Sequence, residues 1–221
     1  MRTVAAFFTA QSIVESIKQL FAEILPGCRL VNIIEDAMIQ DVIRAGHVTP
    51  EITRRLLRYY LAAEDTGADL IFNTCSSIGD VTIMARSFVK IPIVKIDDAM
   101  AGEAVRTATR VGVLATLPTT LAPTVRLVRA QAEKAGRSVS IVEGLAKGAY
   151  EALIAKQPEK HDQMVTEAAE QVARQADVIV LAQGSMARME EALAKKTGKP
   201  VLSSPRRGVL EAKETLERMG R

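Results

Sequence analysis

The side chain of this sequence best suited to chemistry is Cys75. It stands in the run Asn73-Thr74-Cys75-Ser76-Ser77, after the apolar stretch Asp69–Thr74 and ahead of a helical pattern. A thiol at the start of a helix has its thiolate favoured by the dipole and by free backbone N–H groups. That suits a nucleophile or a general acid/base. Asn73, Thr74, Ser76 and Ser77 surround it with hydroxyl and amide groups, which bind a carboxylate or stabilise an enolate-like oxyanion. Ser76 or Ser77 would serve equally as a helix N-cap. Thr116, Thr119 and Thr120, which follow the stretch Arg110–Ala115, form an expected anion corner, and Thr9 and Gln11 are their counterparts after the first strand. Asp97 and Asp98 read as ion-pair partners or as lining of the site. His47 reads as a loop residue, His161 as solvated and Cys28 as structural.

These residues need elements to hold them. Val4–Phe8, Arg29–Ile34, Asp69–Thr74, Ile91–Ile96, Arg110–Ala115, Ser138–Val142, Val178–Leu181 and Val201–Ser203 read as strands buried on both faces. Amphipathic stretches lie between them. Ser12–Ile24 repeats apolar residues at helical spacing, and Thr49-Pro50-Glu51 supplies a cap, a first-turn proline and an acidic first turn for a helix through Glu64. Leu121–Ala135, His161–Gln175 and Pro205–Met219 are further helices. Strands alternating with helices imply parallel pairing and an α/β fold.

The chain also repeats itself. Asp69–Ile78 lies over Asp177–Met186 with an offset of 108 residues. Ile91–Val94 falls on Lys199–Leu202 and Arg2–Ala6 on Arg110–Leu114 at the same spacing, while Arg29–Ile34 matches Ser138–Glu143 with one extra residue. The repeat predicts two pseudo-symmetric four-stranded parallel-sheet α/β halves. The first spans residues 1–98 with a C-terminal helix over 205–221, and the second spans 99–204. Ligands of open α/β sheets bind beyond the carboxyl ends of the strands. The expected active site is therefore a cleft between the halves, lined by Cys75–Ser77 from one and by Gln183, Gly184 and Ser185 from the other.

Composition narrows the classes. With 48% apolar and 25% charged residues, the chain is neither disordered nor collagen-like nor a disulfide scaffold. Apolar runs such as Val178–Ala182 are far short of the roughly 20 residues that span a bilayer, so no membrane partner is expected. The N-terminal Met1–Phe8 reads as a first strand, not a signal peptide. A net charge of +3, dispersed, with 4% aromatic residues, argues against nucleic acid. Two cysteines without a CxxC and two histidines argue against a metal site and fit a cytoplasmic protein. The first strand-to-helix turn, Phe8-Thr9-Ala10-Gln11-Ser12, carries no glycine-rich phosphate loop, and no G-x-S-x-G elbow occurs. No cofactor is expected.

A duplicated α/β chain with a thiol after the third strand resembles the aspartate/glutamate racemase superfamily, which includes hydantoin racemases, maleate isomerase and arylmalonate decarboxylase. The residues that carry the resemblance are Asn73–Ser77, Ile91–Met100, Arg110–Thr116 and Asp177–Gln183. It implies cofactor-independent chemistry in which two cysteines flank the α-carbon of a small carboxylate, one removing a proton and the other supplying one. It also implies a homo-oligomer, a dimer or larger. This sequence departs from that pattern at one point, because the repeat sets Gln183 at the station of Cys75. A glutamine amide hydrogen-bonds but is no acid or base near neutral pH. Two-thiol racemisation is thereby excluded, and one-thiol chemistry remains: isomerisation, or decarboxylation followed by protonation by Cys75. A protein that binds a small acid without converting it is the alternative of a different class.

Overall fold

Apolar segments too short for a stable helix become strands, and longer amphipathic segments pack over them. The protein is described here from a computed structural model over residues 1–220. In chain order the first elements are β1 (Thr3–Phe8), α1 (Val14–Ile24), β2 (Arg29–Ile34), α2 (Ala37–Ala45), α3 (Pro50–Asp65), β3 (Leu70–Asn73), α4 (Gly79–Ala85) and β4 (Ile93–Lys95). They are followed by α5 (Asp98–Thr107), β5 (Arg110–Ala115), α6 (Pro118–Lys134), β6 (Ser140–Leu145), α7 (Ala149–Ile154) and α8 (Pro158–Ala173). The chain ends with β7 (Val178–Leu181), α9 (Glu190–Thr197), β8 (Val201–Leu202) and α10 (Pro205–Met219). Two compact units result. One holds residues 1–97 with the segment from Pro205, and the other holds 98–204.

Each unit contains a four-stranded, all-parallel sheet, in the orders β2-β1-β3-β4 and β6-β5-β7-β8. The central strands are buried along their length, apart from Arg110 at the start of β5. In the first unit Phe7 and Ile71 pack with Leu56, Tyr60 and Ile78 on one face, while Phe8 and Phe72 pack with Ile17, Phe21 and Val209 on the other. Thr49 caps α3, its Oγ1 accepting from the Ile52 N–H at 3.3 Å, ahead of Pro50. The strands β2 and β6 differ from the expectation of full burial. They are sheet edges, and both are half-exposed along their length.

The structure also corrects the spacing of the repeat. Asp69 receives the Thr3 N–H on Oδ2 at 2.7 Å and Arg2 Nη1 on Oδ1 at 2.9 Å. Asp177 receives the Arg110 N–H on Oδ2 at 3.0 Å and the Arg110 guanidinium on Oδ1, from Nε at 3.1 Å and Nη2 at 2.5 Å. Both aspartates thus latch the start of the neighbouring central strand, and Thr3, not Arg2, occupies the station of Arg110. Val4 pairs with Leu70 as Val111 pairs with Val178, so the first strands are offset by 107 residues and the third by 108. Thr3 faces Arg29 and Arg110 faces Ser140, which lengthens the second-strand offset to 111.

Arg110 and the strand-start N–H hold the Asp177 carboxyl down to about 2, from 3.8. A depressed folded value contributes stability above the unfolded one and loses it as pH falls through the folded one. Asp177→Asn should therefore melt below the parent at pH 6, and the gap should close between pH 4 and pH 2. The pair is exposed, so 1 M salt should also narrow the gap. Thermal scans over that pH range check both; a constant gap would remove this role for the latch.

Candidate functional site

The carboxyl ends of β1 and β3 are adjacent, and Thr74 ties them together. Its N–H donates to the Phe7 carbonyl at 3.1 Å and its hydroxyl to the same oxygen at 2.9 Å. Asn73, fully buried, then clamps the next residue but one. Its Nδ2 donates to the Cys75 carbonyl at 3.0 Å, and its Oδ1 accepts the Cys75 N–H at 3.3 Å. The Asn73 amide is spent on backbone and orients Cys75. Ser76–Ile78 forms a 3₁₀ turn, and α4 begins only at Gly79, so the thiol precedes a tight turn, not the expected helix. Ser76 and Ser77 are buried in that turn. Cys75 itself is extended and caps the turn through its backbone.

Two influences act on the sulfur. The Thr9 hydroxyl and the N–H groups of Ser77 and Ile78 hydrogen-bond it and favour the thiolate. Burial opposes them and is the larger effect, and the nearby Asp97 charge adds to it, so the thiol is pushed up from its ordinary value. The sequence-based expectation of a favoured thiolate is reversed, because a desolvated anion loses more than these donors return. At neutral pH Cys75 is a protonated thiol, a proton donor. Tyr60 from α3 stands close enough for the thiol to bear on it. Its phenol bonds Thr82 at 2.8 Å.

The second unit repeats the backbone with different side chains. Gln183 stands where Cys75 does, extended and ahead of a 3₁₀ turn, Gly184–Met189. Thr116 occupies the station of Thr9. Gln183 Oε1 accepts the Thr116 N–H at 3.0 Å, and Nε2 donates to Thr116 Oγ1 at 2.5 Å. Thus the threonine that hydrogen-bonds sulfur in one unit is locked by both ends of an amide in the other. Gly184 and Ser185, half-buried, follow in the turn. Thr120 is buried and its carbonyl accepts the Thr124 hydroxyl at 2.9 Å. Thr119 Oγ1 is buried without a hydrogen-bond partner.

The turn after Gln183 is anchored by residues that composition hides. Arg188 grips Asp162 with both terminal nitrogens, at 2.7 and 2.5 Å, and His161 Nδ1 lies 2.7 Å from Asp162 Oδ1. His161 is buried, not solvated as its polar neighbours suggest. It shares a helix face with Val165, Ala169 and Val172, and that spacing was the available signal.

The structure therefore gathers Thr9, Asn73, Cys75 and Ser77 in one unit, and Thr116 and Gln183 in the other. Gln11 is exposed, and its Nε2 donates to Asp36 Oδ2 at 2.5 Å, so its amide is engaged at the surface. Asp97 is an ion-pair partner, as expected, and its buried partner Lys95 is the unexpected member. Both are 2% exposed, with Nζ and Oδ1 3.5 Å apart. A lysine inside the apolar run Ile91–Ile96 was the signal, since lysine is almost never buried unpaired. Among the described residues no cluster of His, Cys, Asp and Glu is placed to hold a metal ion, and no helix is long and apolar enough to cross a membrane.

A search of curated protein sequences gives no match. Solved structures of the same fold include a glutamate racemase isoform from Bacillus anthracis, with TM-score 0.79 and 12% identity over 99% of this chain and 83% of that one. Allantoin racemase from Pseudomonas fluorescens has TM-score 0.65 and 22% identity over 100% and 92% of the two chains. Aspartate racemase from Picrophilus torridus has TM-score 0.71 and 13% identity over 100% and 95%. A family model for Asp/Glu/hydantoin racemases matches residues 7–212, nearly the whole chain. With its two parallel-sheet units and strand-end thiol, the chain belongs to the Asp/Glu/hydantoin racemase family, whose membership supports a racemase-type isomerase.

Proposed function

We propose that this protein is a cofactor-independent enzyme acting at the carbon next to a carboxylate of a small acid, with Cys75 as its only thiol acid/base. The observation that carries this reading is the pair of equivalent strand ends. One holds a buried thiol hydrogen-bonded by Thr9, Ser77 and Ile78, and the other holds Gln183 locked on Thr116. Once the Cys75 thiol has given its proton to solvent, the thiolate takes the α-proton, and the C–H electron pair passes into the carboxylate as an enediolate. The S–H bond so formed lies on the face it left, so inversion needs water to protonate the opposite face of the enediolate, and the hydroxide left behind takes the thiol proton. Fixed N–H and O–H donors at the strand ends suit the developing oxyanion.

The resting state of Cys75 favours a second reading within the same site, that of a lyase. A neutral thiol needs no second base if the carbanion arises by loss of CO₂. The C–C electron pair forms the enediolate, and the Cys75 proton then quenches it at carbon. Proton NMR of small mono- and dicarboxylates, including 2-substituted malonates, incubated in D₂O separates these outcomes. Deuterium in both enantiomers marks a racemase; deuterium on one face after CO₂ release marks the lyase. Acids that raise the melting temperature yet stay unchanged on long incubation would replace both with a binding role. A homo-oligomer in the cytoplasm is the setting this reading expects, and light scattering tests the assembly.

A further inference from the structure

A cavity of about 320 Å³ opens at the amino-terminal edge of the first unit's sheet, at the other end of the strands from Cys75. Three segments enclose it: the end of α1, the turn into β2, and the last turns of α10. Backbone bonds fix its frame. The Cys28 N–H donates to the Leu25 carbonyl at 2.9 Å, and the Arg29 N–H donates to the Arg2 carbonyl at 2.8 Å. The walls are apolar, made by Ile24, Leu25, Pro26 and Leu216, with the half-buried Cys28 thiol among them. Gly27 completes the lining, and a Cβ there would meet nothing within 4 Å. The volume lies at the low end of the range for ligand pockets, so the occupant is small.

The charged groups of the rim are unspent. Lys213 and Glu217 stand four residues apart on α10, yet among the described residues neither has a partner. Arg2 commits Nη1 to Asp69 at 2.9 Å, and its Nη2 has no partner among the described residues. The carboxyl end of α1 also closes on the cavity, and a helix end of that polarity attracts cations. The rim therefore offers charges of both signs. Arg2 and Lys213 suit a carboxylate, and Glu217 with the helix end suits an ammonium. A small molecule carrying both charges and an apolar chain answers walls and rim together.

We infer that this cavity binds an apolar α-amino acid as its zwitterion. The carboxylate sits on Arg2 and Lys213, the ammonium faces Glu217, and the side chain lies against Ile24, Leu25 and Leu216. The site is separate from the strand-end thiol and does not depend on the reaction assigned to it. Cys28 is a wall of it and takes no chemical part.

That wall reports occupancy. The whole protein is pulsed with N-ethylmaleimide at mildly alkaline pH, and adducts on Cys28 and Cys75 are told apart by peptide mass. Leucine at about ten times the Kd that calorimetry gives should slow labelling of Cys28 about tenfold and leave Cys75 unchanged. Lys213→Met and Glu217→Gln should each weaken leucine about tenfold or more, the weight of one charge-assisted bond. Gly27→Leu should abolish binding with the fold intact, because its side chain enters open space; if it misfolds, the two α10 variants decide. Isocaproate lacks the ammonium and isoamylamine lacks the carboxylate, so both should protect Cys28 far less than leucine. Equal protection by all three would leave an apolar hole and overturn the assignment. Unaltered Cys28 labelling at the solubility limit of leucine would overturn it too. So would protection of Cys75 in its place, which would make leucine a ligand of the strand-end site.

Discussion

Replacing Cys75 with alanine should lower turnover of the preferred carboxylate by about 10²–10⁴-fold, the usual weight of one positioned acid/base group. The fold should survive, because the Asn73 clamp acts on the Cys75 backbone and needs no sulfur. Cys75→Ser should be nearly as inactive. Its hydroxyl can keep the bond to Thr9, but it does not exchange protons with carbon at neutral pH without a strong partner. Deuterium uptake from D₂O into the recovered acid, read by mass spectrometry, measures the loss. Melting curves of the same samples show whether the chain is folded. A folded Cys75→Ala protein that still exchanges at the parental rate would remove the thiol from the mechanism.

The largest single loss of stability is expected at Gly208. In α10, a Cβ at this position would lie 2.5 Å from the Ile96 carbonyl oxygen and 2.8 Å from its Cα. Both are backbone atoms, so no side chain can swing aside. Gly208→Ala must push α10 off the end of β4, against the packing of Val209, Ala212 and Leu216 with Ile17, Phe21 and Phe72. Overpacking of this kind costs about 3 kcal/mol, and in a chain of this size that lowers the melting temperature by about 6–12 °C. Gly136→Ala offers a contrast. No atom lies within 4 Å of a Cβ there, and its cost comes only from a positive φ of 62°. If the two variants melted together, the close approach at Ile96 would not be the cause.

The α/β class was legible because the parallel strands are short, apolar and regularly interrupted. The Thr49 cap and the helix over Pro205–Met219 were legible through local signals that depend on few neighbours. The alignment of the first strands was not. Arg2 and Arg110 look equivalent in a row of letters, and both reach an aspartate. One does so from the residue before the strand and the other from its first residue, a difference that only backbone hydrogen bonds reveal. The edge strands were read as buried because Leu30, Val31, Ile33 and Ile34 resemble a core strand. Edge position is a property of sheet order, and sheet order is not local. Cys75 was recognisable by its place after β3, but its protonation was misjudged. A thiol before a helix and a thiol inside a desolvated turn share one sequence signature and differ in solvent.

Thr9 and Thr116 carry a historical implication. The repeat gives each station twice, and here both copies carry the same hydroxyl. In one copy it meets sulfur, and in the other it fastens a carboxamide. The threonine accepts either neighbour without rebuilding the strand end around it. Divergence between the copies therefore needed no new architecture, only a changed occupant at a site already furnished for both. The asymmetry of this protein is then a matter of tenancy: one ancestral berth, let twice, to a reactive group and to a fastener.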